Sequence, residues 1–219
     1  MCIRDRGYRE NESMGGYDPY SSSKGAAEIA IASWRRSFFN PVDYGMKHHV
    51  ALASVRAGNV IGGGDWALDR IIPDCIKALE AGKDIDIRSP KAIRPWQHVL
   101  EPLSGYMLLA TKMWEEPTKY CEGWNFGPRA ESITPVWDIA TDVIKIYGSG
   151  KLNDMSNPNV LHEAKLLMLD ISKAKFQLGW EPRMNIHRCI ELTVDWYKRY
   201  KTEDAYDICL DEINQFINE

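Results

Sequence analysis

The chain has 219 residues, 44% of them hydrophobic and 26% charged, with a formal net charge of −4. That size allows one or two domains with buried cores, and no apolar run approaches the ~18 residues that suggest a membrane span. Mild acidity without a basic stripe argues against a nucleic-acid partner, and cysteines at 2, 75, 121, 189 and 209 lack the paired spacing of a metal site or a disulfide framework.

Residues Met1 to Arg6 are too polar for a signal peptide. Asn11-Glu12-Ser13 is a formal glycosylation sequon, idle in a cytoplasmic protein, which is the compartment the composition suggests. Gly15-Gly16-Tyr17-Asp18-Pro19-Tyr20 reads as a turn, followed by a small-residue helix that ends near Phe39-Asn40-Pro41 and that serines can cap. Tyr20 and Lys24 open that helix four residues apart, and one turn puts both on one face. A phenol gives up its proton only near ~10, so a tyrosine acting as a base needs a fixed positive charge beside it. Lys24 is placed to supply that charge. The same spacing also arises by chance at helix starts, so the pair alone does not establish a site.

After a polar link in which His48 and His49 read as solvent-exposed, the mostly apolar run from Val50 to Val60 suits a buried parallel strand. Gly62-x-Gly64-x-x-Ala67 formally satisfies a dinucleotide fingerprint. Asp65 and Asp69 put negative charge where a pyrophosphate should lie, and Pro73 interrupts a helix starting there, so a flexible substrate loop is the better reading. A helix from His98 to Trp114, a strand from Glu122 to Phe126, a helix from Ile186 to Tyr200 with Ile190, Val194 and Tyr197 on one stripe, and a polar-faced tail helix over Lys201 to Glu219 follow. His98, on a mixed helix face, reads as structural.

Seven segments carry a resemblance: Tyr8-Arg9-Glu10-Asn11-Glu12, Tyr20-Ser21-Ser22-Ser23-Lys24, Arg56 to Val60, Gly62-Gly63-Gly64-Asp65-Trp66, Ile93 to Val99, Trp124 to Pro128, and Leu169 to Lys173. With them the chain resembles the extended short-chain dehydrogenase/reductase group, and within it the nucleotide-sugar 4,6-dehydratases that act on CDP-glucose, from about Gly7 to its end. The resemblance implies an α/β fold: the C-terminal part of a doubly wound Rossmann-type parallel sheet with a smaller α/β substrate domain. Residues 7–67 and 96–128 would complete the NAD-binding domain, 68–95 and 129–219 the sugar-nucleotide domain, and 1–6 would be a foreign leader. A glycine-rich strand, turn and helix should come first in this group, and none precedes Tyr20. The chain is therefore expected to be a C-terminal fragment lacking the upstream Thr/Ser-Asp-Lys stretch, inactive alone, poorly soluble, and negligible in NAD binding.

By the same resemblance Tyr20 and Lys24 are the catalytic pair. Tyr20 takes the proton of the sugar 4-hydroxyl, and Tyr20, Lys24 and Ala57 contact NAD. Arg70 and Arg94 would hold the pyrophosphate of CDP-glucose with Asn59 as a neutral donor, whereas Arg88 reads as a surface charge. In many relatives another arginine precedes the Asp-x-Ser-Lys segment; here Asn157 to Lys165 has none, and whether His162 or Lys165 replaces it is open. The resemblance also implies a cytoplasmic homodimer and a place in deoxysugar supply for a bacterial surface polysaccharide; Ala26, Ala27 and Ala30 suit either the subunit contact or packing within one subunit. A sugar-nucleotide 4-epimerase, a dehydratase for another nucleotide, and a non-catalytic sugar-nucleotide-binding module remain alternatives.

Overall fold

The helix over Pro19–Ser37, α1, starts at Asp18, which accepts the Ser21 N–H at 3.0 Å while Pro19 takes the first helical position. The cap is thus an aspartate and not one of the serines, because a carboxylate is the stronger acceptor for an orphan N–H at a helix start. The remaining elements are strands β1 (Ser54–Ala57) and β2 (Asn59–Ile61), helix α2 (Ile71–Glu80), strands β3 (Ile85–Ile87), β4 (Ile93–Arg94) and β5 (Trp96–His98), and helix α3 (Leu100–Glu115). Strands β6 (Gly123–Phe126) and β7 (Thr134–Pro135), helix α4 (Val136–Tyr147), strand β8 (Leu152–Asp154) and helices α5 (Ile186–Arg199) and α6 (Ala205–Asn218) complete the order. The structure, a computed structural model, describes residues 6–16, 18–129, 132–156 and 168–219. Most of the expected leader, Tyr17, His162 and Lys165 lie outside the described residues.

The chain falls into two compact units. The first takes in the described residues up to Ala57, Leu103–Phe126 and Leu169–Glu181. Here β1 runs parallel to β6, Ser54 opposite Gly123 through Ala57 opposite Phe126, and Tyr8 bridges Leu169. Trp124 and Phe126 are fully buried with Leu109, Tyr120, Leu178 and Trp180 around them. Phe126 meets Trp180 edge-on, ring centroids 4.9 Å apart. Gly105 of α3 is needed at this contact, because a Cβ there would lie 2.3 Å from the Phe126 ring.

The second unit takes in Gly58–Pro102, the described residues of 127–168, and Pro182–Glu219. Its strands pair as β2 with β5 and β3 with β8, both parallel, and β4 with β7, antiparallel. Ile190, Val194 and Tyr197 of α5 are buried, as the stripe predicts, against Ile72, Ile76, Ile139, Val143 and, from α6, Ile208 and Phe216.

Several expectations change. The run from Val50 to Val60 is not one buried strand: it breaks at Gly58, β1 and β2 pair in different sheets, and Val55 and Val60 are 38% and 37% exposed. Among the described residues each strand is paired with a single other strand. The units also divide the chain at other points than 67, 95 and 128. Gly58 to Ala67 goes with the second unit because Asn59 pairs with Trp96, and Leu169 to Glu181 with the first because Asp170 N–H donates to the Tyr8 carbonyl. Pro73 does not interrupt α2; it sits in the first turn, where its missing N–H would have no partner anyway. His98 ends strand β5 and does not start a helix.

Candidate active site

Tyr20 and Lys24 emerge on one face of α1, with the Lys24 Nζ 5.4 Å from the centre of the Tyr20 ring. Tyr20 is 73% exposed, and Lys24 is exposed as well. The turn before them fixes this start. Gly15 takes a φ of 145°, and a Cβ on the buried Gly25 would come within 3.1 Å of the Gly15 nitrogen. A chain entering α1 this closely needs glycine at both places. Ser21 donates from Oγ to Asp18 Oδ2 at 2.6 Å, and Ser22 and Ser23 donate to the carbonyls of Gly16 and Tyr20. The Ser21 side-chain and backbone hydrogen bonds hold the Asp18 carboxyl below its usual range. The serine run thus braces the turn that presents Tyr20.

Behind this face lies a polar network that the sequence reading missed. Glu28, one turn beyond Lys24, accepts from Arg56 Nε at 2.9 Å on one oxygen, and from Arg56 Nη2 at 2.9 Å and Ser54 Oγ at 2.8 Å on the other. Burial works to raise the Glu28 pKa, yet the hydrogen bonds from Arg56 and Ser54 outweigh it and the carboxyl is lowered. Arg56 also donates to the Glu10 carbonyl at 3.1 Å, and the Glu10 carboxylate accepts the Asn125 N–H at 3.0 Å. Asn125 Nδ2 donates to the carbonyls of Tyr8 and Asp170, and Arg9 pairs with Asp170 at 3.0 Å. Four of the segments that carry the resemblance therefore meet in one place. A visible signal was that Glu28 continues the i, i+4 series of Tyr20 and Lys24, but nothing local points to Arg56.

The predicted substrate residues lie in the second unit. Arg70 precedes α2 and pairs with Asp65 at 2.8 Å while staying 62% exposed. Arg94, half-buried in β4, donates to the Ile93 carbonyl at 2.9 Å, and Asn59 stands opposite Trp96 where β2 begins. Arg88 is a surface charge paired with Asp69. The structure therefore brings Tyr20, Lys24 and Ala57 into one unit and Asn59, Arg70 and Arg94 into the other.

The loop between β2 and α2, expected to be flexible, is tied down. Tyr197 donates from its hydroxyl to the Asp65 carbonyl, Lys77 donates to the Trp66 carbonyl at 2.7 Å, and Trp66 meets Tyr197 edge-on. Burial pushes the Tyr197 phenol up to about 12, so it stays a donor.

His98 is fully buried, and burial, with the Arg188 charge second, pushes its imidazole down to about 4. It is neutral near pH 7 and structural, as expected, though on a strand. His48 is not solvent-exposed as predicted: it is half-buried and bonds the Asn40 carbonyl at 2.9 Å. Burial pushes the Cys75 and Cys189 thiols up to about 12, which leaves them inert as nucleophiles. Among the described residues no cluster of three or more His, Cys, Asp or Glu could hold a metal, and no helix is long and apolar enough to cross a membrane.

The parallel strand pairs and the helices between them make an α/β fold of the Rossmann type. A dTDP-glucose 4,6-dehydratase from Bacillus anthracis, solved with NAD, matches 91% of this chain with a TM-score of 0.74 at 18% identity, over 58% of its own length. A UDP-glucose 4-epimerase from Thermotoga maritima, solved with UDP-glucose, matches 91% of this chain with a TM-score of 0.73 at 19% identity, over 60% of its own length. In sequence the chain is similar to CDP-glucose 4,6-dehydratase of Salmonella typhimurium, 51% identical over 203 residues, which is 93% of this chain and 56% of that protein. The chain thus spans little more than half the length of these relatives. No family model matches it.

Proposed function

We propose that this chain carries the proton-transfer pair and part of the substrate cleft of an NAD-dependent nucleotide-sugar 4,6-dehydratase that converts CDP-glucose to CDP-4-keto-6-deoxyglucose. The observation that carries this reading is the exposed Tyr20 with Lys24 beside it on α1, in a chain so similar to CDP-glucose 4,6-dehydratase.

The residues present fit a dinucleotide. Lys24 makes no ion pair among the described residues, so its ammonium donors are available to ribose hydroxyls. Ala57, at the end of β1, adds no bulk. NAD, when bound, supplies the two-electron acceptor for the sugar C4. Tyr20 takes the proton of the 4-hydroxyl, with the Lys24 ammonium beside its ring. Arg94 and Arg70, with Asn59, hold the diphosphate, Arg70 exchanging its Asp65 partner for a phosphate oxygen. No described residue is assigned to the loss of water across C5 and C6.

In this reading the unit bearing Tyr20 belongs to the cofactor domain and the unit bearing Arg70 and Arg94 to the substrate domain. The protein works in the cytoplasm as a homodimer. Its contact is the side of α1 where Ala26, Ala27 and Ala30 lie exposed, with Ile29 61% and Trp34 54% exposed.

A 4-epimerase is the second reading, favoured by the close fold match to the Thermotoga enzyme. The test is product analysis, by NMR, of CDP-glucose incubated with NAD and the whole open reading frame that encodes this chain. A 4-keto-6-deoxy sugar is expected. An epimer with its 6-hydroxyl intact selects the second reading, and no turnover of any nucleotide sugar overturns both.

A further inference from the structure

Lys24 and Glu28 stand one turn apart on α1, at the spacing where a lysine and a glutamate on a helix surface ordinarily pair. In this structure they do not. Both Glu28 oxygens are occupied by Arg56 and Ser54, at 2.8 to 2.9 Å. The Glu28 and Arg56 side chains are 16% and 21% exposed, whereas Lys24 lies exposed one turn before and, among the described residues, keeps only the Tyr20 ring as a partner.

We propose that Arg56 is a positioning residue that holds the Glu28 carboxylate away from Lys24, so that the lysine charge stays available to Tyr20. The proposal rests on the reading of Tyr20 and Lys24 as the proton-transfer pair. A planar guanidinium engages both oxygens of a carboxylate at once, which the single ammonium of lysine cannot match. Arg56 is itself held, by the Glu10 carbonyl at 3.1 Å, and its pairing is largely out of water, so salt screens it little. Remove the guanidinium, and Glu28 keeps only the Ser54 hydroxyl in a half-buried place where a bare carboxylate is costly. Lys24 is then a cation one turn away. Arg35, two turns on, is tied to the Leu52 carbonyl at 2.8 Å. A Lys24 paired with Glu28 would present Tyr20 with a neutralised charge.

The experiment reads the lysine directly and needs neither NAD nor sugar nucleotide. The whole open reading frame that encodes this chain is acetylated briefly with acetic anhydride, and the rate at each lysine is followed by mass spectrometry. Arg56→Gln should slow labelling of Lys24 about twofold relative to Lys83 and Lys151, the size of an i, i+4 ion pair. Arg56→Gln with Glu28→Gln should restore the rate, because the competing carboxylate is gone. Glu28→Gln alone should leave Lys24 as it was, since that carboxylate is already engaged.

An unchanged Lys24 rate in Arg56→Gln, a double variant as slow as the single one, or faster Lys24 labelling in Glu28→Gln would each overturn the proposal. If Arg56→Gln loses its fold, seen as faster labelling of Lys173, whose side chain is 17% exposed in the same unit, Glu28→Gln decides the matter alone. Turnover of CDP-glucose is assayed separately, so failure of the functional reading shows as no product with the labelling pattern intact.

Discussion

The backbone of Gly63 lies directly on the indole of Trp196: a Cβ at Gly63 would fall 2.0 Å from the indole Cγ. Trp196 in turn stacks on Tyr200, with centroids 5.5 Å apart and planes 4° from parallel. The segment Gly62-Gly63-Gly64-Asp65-Trp66 thus owes its middle glycine to close packing against α5, and Gly64 takes a φ of 79° that a side chain would strain. The glycines shape the loop that carries Asp65, the partner of Arg70.

Gly63→Ala should therefore destabilise the second unit by ~3 kcal/mol, since a methyl group in a packed interior forces backbone or ring to move. Thermal unfolding followed by tryptophan fluorescence checks this, with Gly82→Ala as a comparison. Gly82 has a φ of 64° but open space around its Cβ position, so its cost is backbone strain alone.

Tyr20→Phe removes the hydroxyl and leaves the ring that Lys24 approaches at 5.4 Å. Turnover of CDP-glucose by the encoded protein should fall about a thousandfold, the scale of a lost general base. Calorimetric affinity for CDP-glucose should change little, because the pyrophosphate contacts are assigned to Arg70 and Arg94. Retention of a tenth of the activity would remove Tyr20 from the mechanism.

The burial of His98 predicts acid sensitivity. Its imidazole is pushed down to about 4 in the folded chain from an ordinary 6.5, so the unfolded chain binds the extra proton between those values. Stability from this group is complete above pH 6.5 and is lost as pH falls toward 4, by about 3 kcal/mol in all. Urea midpoints measured from pH 7.5 to 4.5 should decline in the parent and decline less in His98→Gln.

Glu212 on α6 has the opposite sign. It is buried, and burial, reinforced by the negative charge of Asp195, raises its carboxyl to about 7. The folded chain therefore holds a proton that the unfolded chain releases above its ordinary value near 4.5. Stability from this group is complete below pH 4.5 and is lost as pH rises through 7. Glu212→Gln keeps the shape without the titration, so it should raise the melting temperature at pH 8 and change it little at pH 5.

The residues by themselves determined what depends on neighbours along the chain. Helical spacing placed Tyr20 and Lys24 on one face and gathered Ile190, Val194 and Tyr197 into the buried stripe of α5. Only the tertiary structure decided what depends on residues far apart in sequence. The Val50 to Val60 run breaks at Gly58 because β1 finds β6 and β2 finds β5, partners that lie beyond any local window. Arg56 reaches Glu28 across 28 positions and Glu10 across 46, and Asn125 reaches Glu10 across 115. A glutamate one turn from a lysine reads locally as that lysine's ion-pair partner. It is the fold that brings a guanidinium to the carboxylate first, because a bidentate pair out of water outcompetes an exposed one.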